Sequence, residues 1–132
     1  MSESHPQTDR PTVRFGSTVL DTPDPKRLSR FYAELLNWSV DPDDDSDEWV
    51  TIRSETGAHL MFQRATDVRP PTWPDPTIPQ QFHLDLEVED LDAGQAYAES
   101  LGATRRRAEG EGQHFRVFLD PSGHPFCLCQ AG

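Results

Sequence analysis

A chain of 132 residues with a formal net charge of −11 at pH 7 is ill suited to binding polyanions, because nucleic-acid affinity rests mainly on neutralising phosphates with Lys and Arg. The length suits one compact domain, or two half-domains of roughly 60 residues that are each too small to bury a core well alone. No apolar run approaches the ~20 residues of a membrane helix, and the N-terminus lacks the apolar stretch of a signal peptide, so a cytoplasmic protein with no membrane contact is expected.

Residues 1–12 are mostly polar, include Pro6 and Pro11, and show no periodicity, which predicts a flexible N-terminal tail. Val13 to Asp21 reads as a strand. Thr22-Pro23-Asp24-Pro25 then starts a helix, with Asp24 as N-cap and Pro25 at the first helical position. Leu28, Phe31, Tyr32, Leu35 and Leu36 recur at helical spacing, so one stripe of this helix, over about 25–37, should pack on a sheet.

The run Asp41 to Glu48 is dense in acid. It lacks the central Gly and the terminal Glu of a calcium hand, and a solvated loop is expected. Trp49–Arg53 and His59–Gln63 alternate around Ser54-Glu-Thr-Gly57 and read as a hairpin. Residues 65–80 hold five of the twelve prolines, with Trp73 among them, which predicts an extended connector.

A strand over 81–89 follows, then a helix over about 90–101 that stops at Gly102, where a left-handed cap is accessible. Residues 103–108 predict a short edge strand. His114–Leu119 and Pro125–Cys129 predict a hairpin across Asp120-Pro-Ser-Gly123. Cys127 and Cys129, two apart on one strand, are poorly placed for an unstrained disulfide, and reduced thiols fit a cytoplasmic setting.

The second half thus restates the first: an alternating run ending in Asp leads into an amphipathic stretch at Ser17–Leu36 and again at His83–Leu101. Such a repeat implies two fused units that bury one another's apolar faces. The expected organisation is a tail over 1–12 and a domain over 13–132, comprising a module at 13–64, a connector at 65–80 and a module at 81–130.

Strand parity divides the side chains. Leu84, Leu86 and Val88 should face a helix, together with Val50, Ile52, Leu60, Phe62, Phe115, Val117, Leu119, Phe126 and Leu128. The opposite face then collects Trp49, Arg53, Gln63, His83, Asp85, His114, Arg116 and Cys127 as candidate ligand-binding residues, with no metal-binding set among them. His83 is the candidate catalytic residue, because Asp85 or Glu87 on the same face would raise its pKa toward neutrality. A histidine hydrogen-bonded there for structural reasons is the alternative, as a plain solvated sheet surface is the alternative to a cleft. Trp49 and Trp73 are candidates for stacking on a flat ligand, although Trp73 also suits pinning the connector to the domain.

The motifs Leu20-Asp-Thr-Pro-Asp-Pro25, Phe31-Tyr-Ala-Glu-Leu-Leu36, Phe62-Gln63, Pro71-Thr-Trp-Pro74, His83-Leu-Asp85, Asp90-Leu-Asp92, Leu101-Gly-Ala103 and Asp120-Pro-Ser-Gly-His-Pro-Phe-Cys127 cover about residues 13–130. Their order resembles the vicinal oxygen chelate superfamily of glyoxalase I, bleomycin-resistance proteins and extradiol dioxygenases, and in particular its uncharacterised glyoxalase-like branch. The resemblance implies an α+β fold of two β-α-β-β-β modules whose curled mixed sheets surround a cleft, commonly in a homodimer. It also implies metal-ligand positions at Ser17, near Met61 with Gln63 beside it, at His83 and at Cys127, of which only His83 is a usual ligand. Ser and Met are poor donors for the metals of that superfamily, so no cofactor and no tightly bound metal are expected.

Three functions stand open. One is a bleomycin-resistance-like protein that binds a small planar or anionic molecule without metal. Another is a lyase, isomerase or dioxygenase using His83 as metal ligand or general base. The last is an interaction domain that has lost its cavity.

Overall fold

The computed structural model describes residues 10–131 except Val13, Pro74 and Glu109, so residues 1–9 of the expected tail lie outside the described residues. The first module runs β1 (Thr18–Thr22), α1 (Pro25–Leu36), β2 (Ser39–Asp45), β3 (Trp49–Arg53) and β4 (His59–Arg64). The second runs β5 (Leu84–Val88), α2 (Leu91–Ser100), β6 (Thr104–Arg105), β7 (Phe115–Leu119) and β8 (Pro125–Gln130). Each module forms one mixed four-stranded sheet, ordered β1-β4-β3-β2 and β5-β8-β7-β6. The first strand of each lies parallel to the last, and the remaining pairs are antiparallel. The expected β-α-β-β-β duplication is observed, with two uncurled four-stranded sheets in place of the curled ones expected.

Local chemistry accounts for the helices. Asp24 accepts the Arg27 amide at 3.1 Å, and Asp90 accepts those of Asp92 and Ala93 at 2.9 and 3.2 Å, which satisfies amide donors that have no partner inside the helix. Asn37 closes α1 in the left-handed conformation. Gly94 lets α2 approach its sheet, since a β-carbon there would stand 2.9 Å from the Val88 side chain.

Leu28, Phe31 and Tyr32 of α1 are buried with Val50, Ile52, Leu60 and Phe62 of their own sheet, and the same core continues into Phe118, Phe126 and Leu128 of the second. The Phe31 and Tyr32 rings lie 6.0 and 6.2 Å from that of Phe126. α1 therefore ties the two modules together.

Two expectations are corrected. The acidic run is not a loop: most of it is β2, an edge strand whose register shifts between Val40 and Asp45. Three of its carboxylates are given a partner. Asp41 pairs with Arg53 at 3.2 Å, Asp45 with Arg30 at 2.9 Å, and Asp44 accepts the Trp49 indole at 2.9 Å and the Thr51 hydroxyl. An irregular, charged edge resists pairing with another chain.

The second correction concerns β7. Its register sets Arg116 opposite Leu128 and Phe118 opposite Phe126, which puts Arg116 and Phe118 on the α2 side and Phe115, Val117 and Leu119 on the other. Phe118 stacks on Phe126 at 5.4 Å. In Phe115-Arg-Val-Phe-Leu119 both parities carry apolar residues, so alternation alone could not choose the face. The short edge strand expected over 103–108 shrinks to β6, because beyond it the Glu111 carboxylate takes the Val117 amide at 3.1 Å in place of a ladder bond.

At the module junction the buried Tyr32 hydroxyl donates to Asp120 at 2.6 Å. Asp120 also accepts the Ser122 and His124 amides at 2.9 and 3.0 Å. Burial pushes its carboxyl pKa up, although the Tyr32 bond and His124 pull it down. A raised acid pKa contributes stability that is present below the unfolded value near 3.8 and is lost as pH rises through the folded value. Tyr32→Phe removes the hydroxyl donor from a buried carboxylate, and is expected to cost about 1–3 kcal/mol at pH 7, shrinking as acid neutralises Asp120. Urea unfolding of both proteins at pH 7 and pH 4 checks this; an equal loss at the two values would exclude the carboxylate as its cause.

Candidate functional site

The connector is shaped by Thr72, whose amide donates to the Ile78 carbonyl at 2.7 Å and whose hydroxyl accepts the Ile78 amide at 2.8 Å. This loop holds Trp73, whose ring stacks on His83 with centroids 5.9 Å apart and planes 8° from parallel. Two further contacts fasten the connector to the second module. Arg106 donates to the Thr72 carbonyl at 3.2 Å, and Pro70 lies against Gly123, where a β-carbon would stand only 2.7 Å away.

His83 directly precedes β5, and its Nε2 stands 3.1 Å from Asp85 Oδ1. Parallel pairing sets Asp85 beside Cys127 on the face away from α2. Ligand atoms of His83, Asp85 and Cys127 lie within 4.8 Å of one another. The Cys127 thiol is pushed up to about 12, first by burial, then by the negative charge of Asp85. At neutral pH it is a protonated, weakly polar group rather than a nucleophile.

Of the eight sequence candidates, these three come together. Trp49, Arg53 and Gln63 share the corresponding face of the first sheet, where Trp49 is the register partner of Gln63. Arg53 is spent on Asp41 and Trp49 on Asp44. No hydrogen bond or ion pair among the described residues joins them to the His83 cluster. His114 is exposed at the entry to β7, its carbonyl accepting the Gln130 amide at 2.8 Å. Arg116 faces α2, where it donates to Gln95 and Asp92, each at 2.9 Å. The stacking of Trp73 on His83 was foreshadowed only by a lone aromatic in a proline-rich segment.

A family model for the glyoxalase-like domain matches residues 17–129. The chain belongs to that family. No curated protein matches the sequence. Among solved structures of similar fold, a glyoxalase/bleomycin resistance protein/dioxygenase family enzyme from Burkholderia phytofirmans PsJN is 17% identical, with a TM-score of 0.67 over 86% of this chain and 95% of that one. The fosfomycin resistance protein FosX of Listeria monocytogenes is 15% identical, with a TM-score of 0.65 over 90% and 92%. A bleomycin-binding protein of Streptomyces verticillus, complexed with copper(II)-bleomycin, is 17% identical, with a TM-score of 0.54 over 92% and 100%.

In the metal-ligand pattern that the resemblance implies, the first-module positions are Ser17 and approximately Met61 with Gln63 beside it, and the Ser hydroxyl and Met thioether are weak donors for such ions. In the second, Cys127 holds its proton to about 12 and Asp85 is engaged by His83. This donor set does not fit a two-module metal centre.

A folded-state thiol pKa far above the unfolded one contributes stability that is complete below pH 9 and is lost as pH rises from there toward 12. Iodoacetamide at pH 8.5 should therefore label Cys127 at least tenfold more slowly in the native protein than in urea, read by peptide mass spectrometry. Equal rates would show that the thiol is neither buried nor held protonated.

Proposed function

We propose that this glyoxalase-like protein binds a small, flat molecule beside His83 and does so without a tightly held metal. The observation that carries the reading is the stacked Trp73–His83 pair next to Asp85 and Cys127. It combines an aromatic platform with one hydrogen-bonding carboxylate and a neutral thiol, the few directed polar groups on an apolar base that small-molecule sites use. A flat ligand is favoured over an anionic one, because Arg53 is neutralised by Asp41 and Arg116 lies on the helix side with Asp92. The Streptomyces verticillus neighbour, a bleomycin-binding protein, supports ligand capture as a use of this fold. The reading carries with it a homodimer in the cytoplasm, in keeping with two free cysteines.

A second reading, an enzyme with His83 as metal ligand or general base, is favoured by the proximity of the His83, Asp85 and Cys127 ligand atoms. One experiment separates the two. Thermal-shift titration with planar heteroaromatic compounds and, in parallel, with zinc, nickel, manganese and iron(II) reads native-state binding as a rise in Tm. The expected outcome is stabilisation by at least one flat compound, weakened about tenfold or more by Trp73→Ala and His83→Ala, with no ion retained after dialysis. Stoichiometric metal that survives a weak chelator and is lost in His83→Ala would establish the second reading instead.

A further inference from the structure

A recess of about 780 Å³ opens where β1, an edge strand of the first sheet, meets the second module, and its lining includes none of Trp73, His83, Asp85 and Cys127. Its walls come from separate stretches of chain: residues 15–21 along β1, the start of the connector at 65–71, the segment 79–82 and the first residues of β8. The volume is that of a small-molecule site. Its lining is mainly apolar, and two phenylalanines of that lining are left in solvent: Phe15 is 85% exposed and Phe82 87%. Val19, another lining residue, is 40% exposed. Large apolar side chains gathered in one concavity, rather than scattered singly over the surface, mark a binding site.

Charge narrows the ligand class. The ionisable side chains of the lining are Asp21, Asp67, Arg69 and His124, and the His124 ring is hydrogen-bonded to the Asp21 carbonyl. Two carboxylates against one guanidinium leave no excess of positive charge, and the chain as a whole stands at −11. An anion gains nothing there, and a strongly charged cation would face apolar walls. We infer that this recess is a second ligand site, distinct from the one at His83, and that it takes an uncharged, largely apolar aromatic molecule against Phe15 and Phe82.

Phe15 and Phe82 are mostly solvated in the free protein, so replacing them leaves the core intact. That makes the inference directly testable. N-phenyl-1-naphthylamine, a neutral fluorescent probe, is titrated into native protein whose folding is verified by near-UV circular dichroism. Its sulfonated analogue, 8-anilinonaphthalene-1-sulfonate, carries a similar ring system with a negative charge. The neutral probe is expected to bind at one site per chain, more tightly than the sulfonate. Phe15→Ala and Phe82→Ala should each weaken it severalfold and together by about tenfold or more, the scale set by loss of aromatic burial. Tyr97→Ala, which removes an exposed aromatic of α2 outside the recess, should leave the affinity unchanged.

Failure of the probe to bind, or binding untouched by the double variant, would overturn the inference, as would tighter binding of the sulfonate. So would a dimer, seen by light scattering, that excludes the probe and dissociates in Phe82→Ala, because the recess would then be covered by a second copy. None of these outcomes bears on the Trp73 and His83 dependence by which the first site is judged.

Discussion

α1 is the element on which the rest depends, because its aromatic stripe belongs to both modules. Phe31 meets Tyr32 edge-on at 4.9 Å, Tyr32 stacks on Phe62 at 5.9 Å, and both approach Phe126 across the junction. Neither sheet of four short strands would bury enough apolar surface alone to offset its conformational entropy. The shared core solves that problem, and the Tyr32–Asp120 hydrogen bond makes the docking specific, since a buried carboxylate accepts few alternative arrangements. A second polar link, Thr22 to Ser122 at 2.7 Å, lies at the same junction.

With the modules docked, the connector has little freedom. It leaves β4 at one sheet and must reach β5 at the other, and rather than running extended throughout, as its prolines suggested, it closes a hydrogen-bonded loop between Thr72 and Ile78 on the way. Its contacts with Gly123, Arg106 and His83 turn a linker into a wall. Both sites discussed above use it: Trp73 stacks at His83, and residues 65–71 line the apolar recess. The same segment that joins the modules therefore contributes to both proposed ligand surfaces.

The charge of the chain is managed in the same economical way. β2 carries a dense acidic run, yet Asp41, Asp44 and Asp45 each have a partner from β3 or α1. Arg30 holds Asp45 through two hydrogen bonds of 2.9 Å, a planar geometry that suits a guanidinium. In the second sheet Glu111 joins Arg105 and takes the Ala108 and Val117 amides, and these bonds hold its pKa below the usual carboxylate range. The more exposed pairs of β2 contribute little stability one by one, whereas Arg105 and Glu111 are largely buried. The effect of these pairs is to finish the sheet edges and, at Arg53, to neutralise a candidate cation for an anionic ligand.

The sequence by itself determined the duplicated plan, both helices, the connector and most buried positions. These follow from short-range rules: Asp24 and Asp90 cap because a carboxylate reaches amides two or three residues on, and Val50, Ile52, Leu60 and Phe62 are inside because a strand alternates. Tertiary structure decided the rest. β2 escaped the pattern because Asp residues disfavour strands unless partners such as Arg30, Arg53 and Trp49, distant or on a neighbouring strand, take their charges and lone pairs. The face of β7 depended on its register with β8, which no local pattern in Phe115–Leu119 expresses. The candidate site divided in the same way. His83, Asp85 and Cys127 were legible as one face because parity and parallel pairing agree there, whereas Arg116 followed its strand to α2, and Trp73 and Phe82 acquired their places only when the connector was laid against the docked modules.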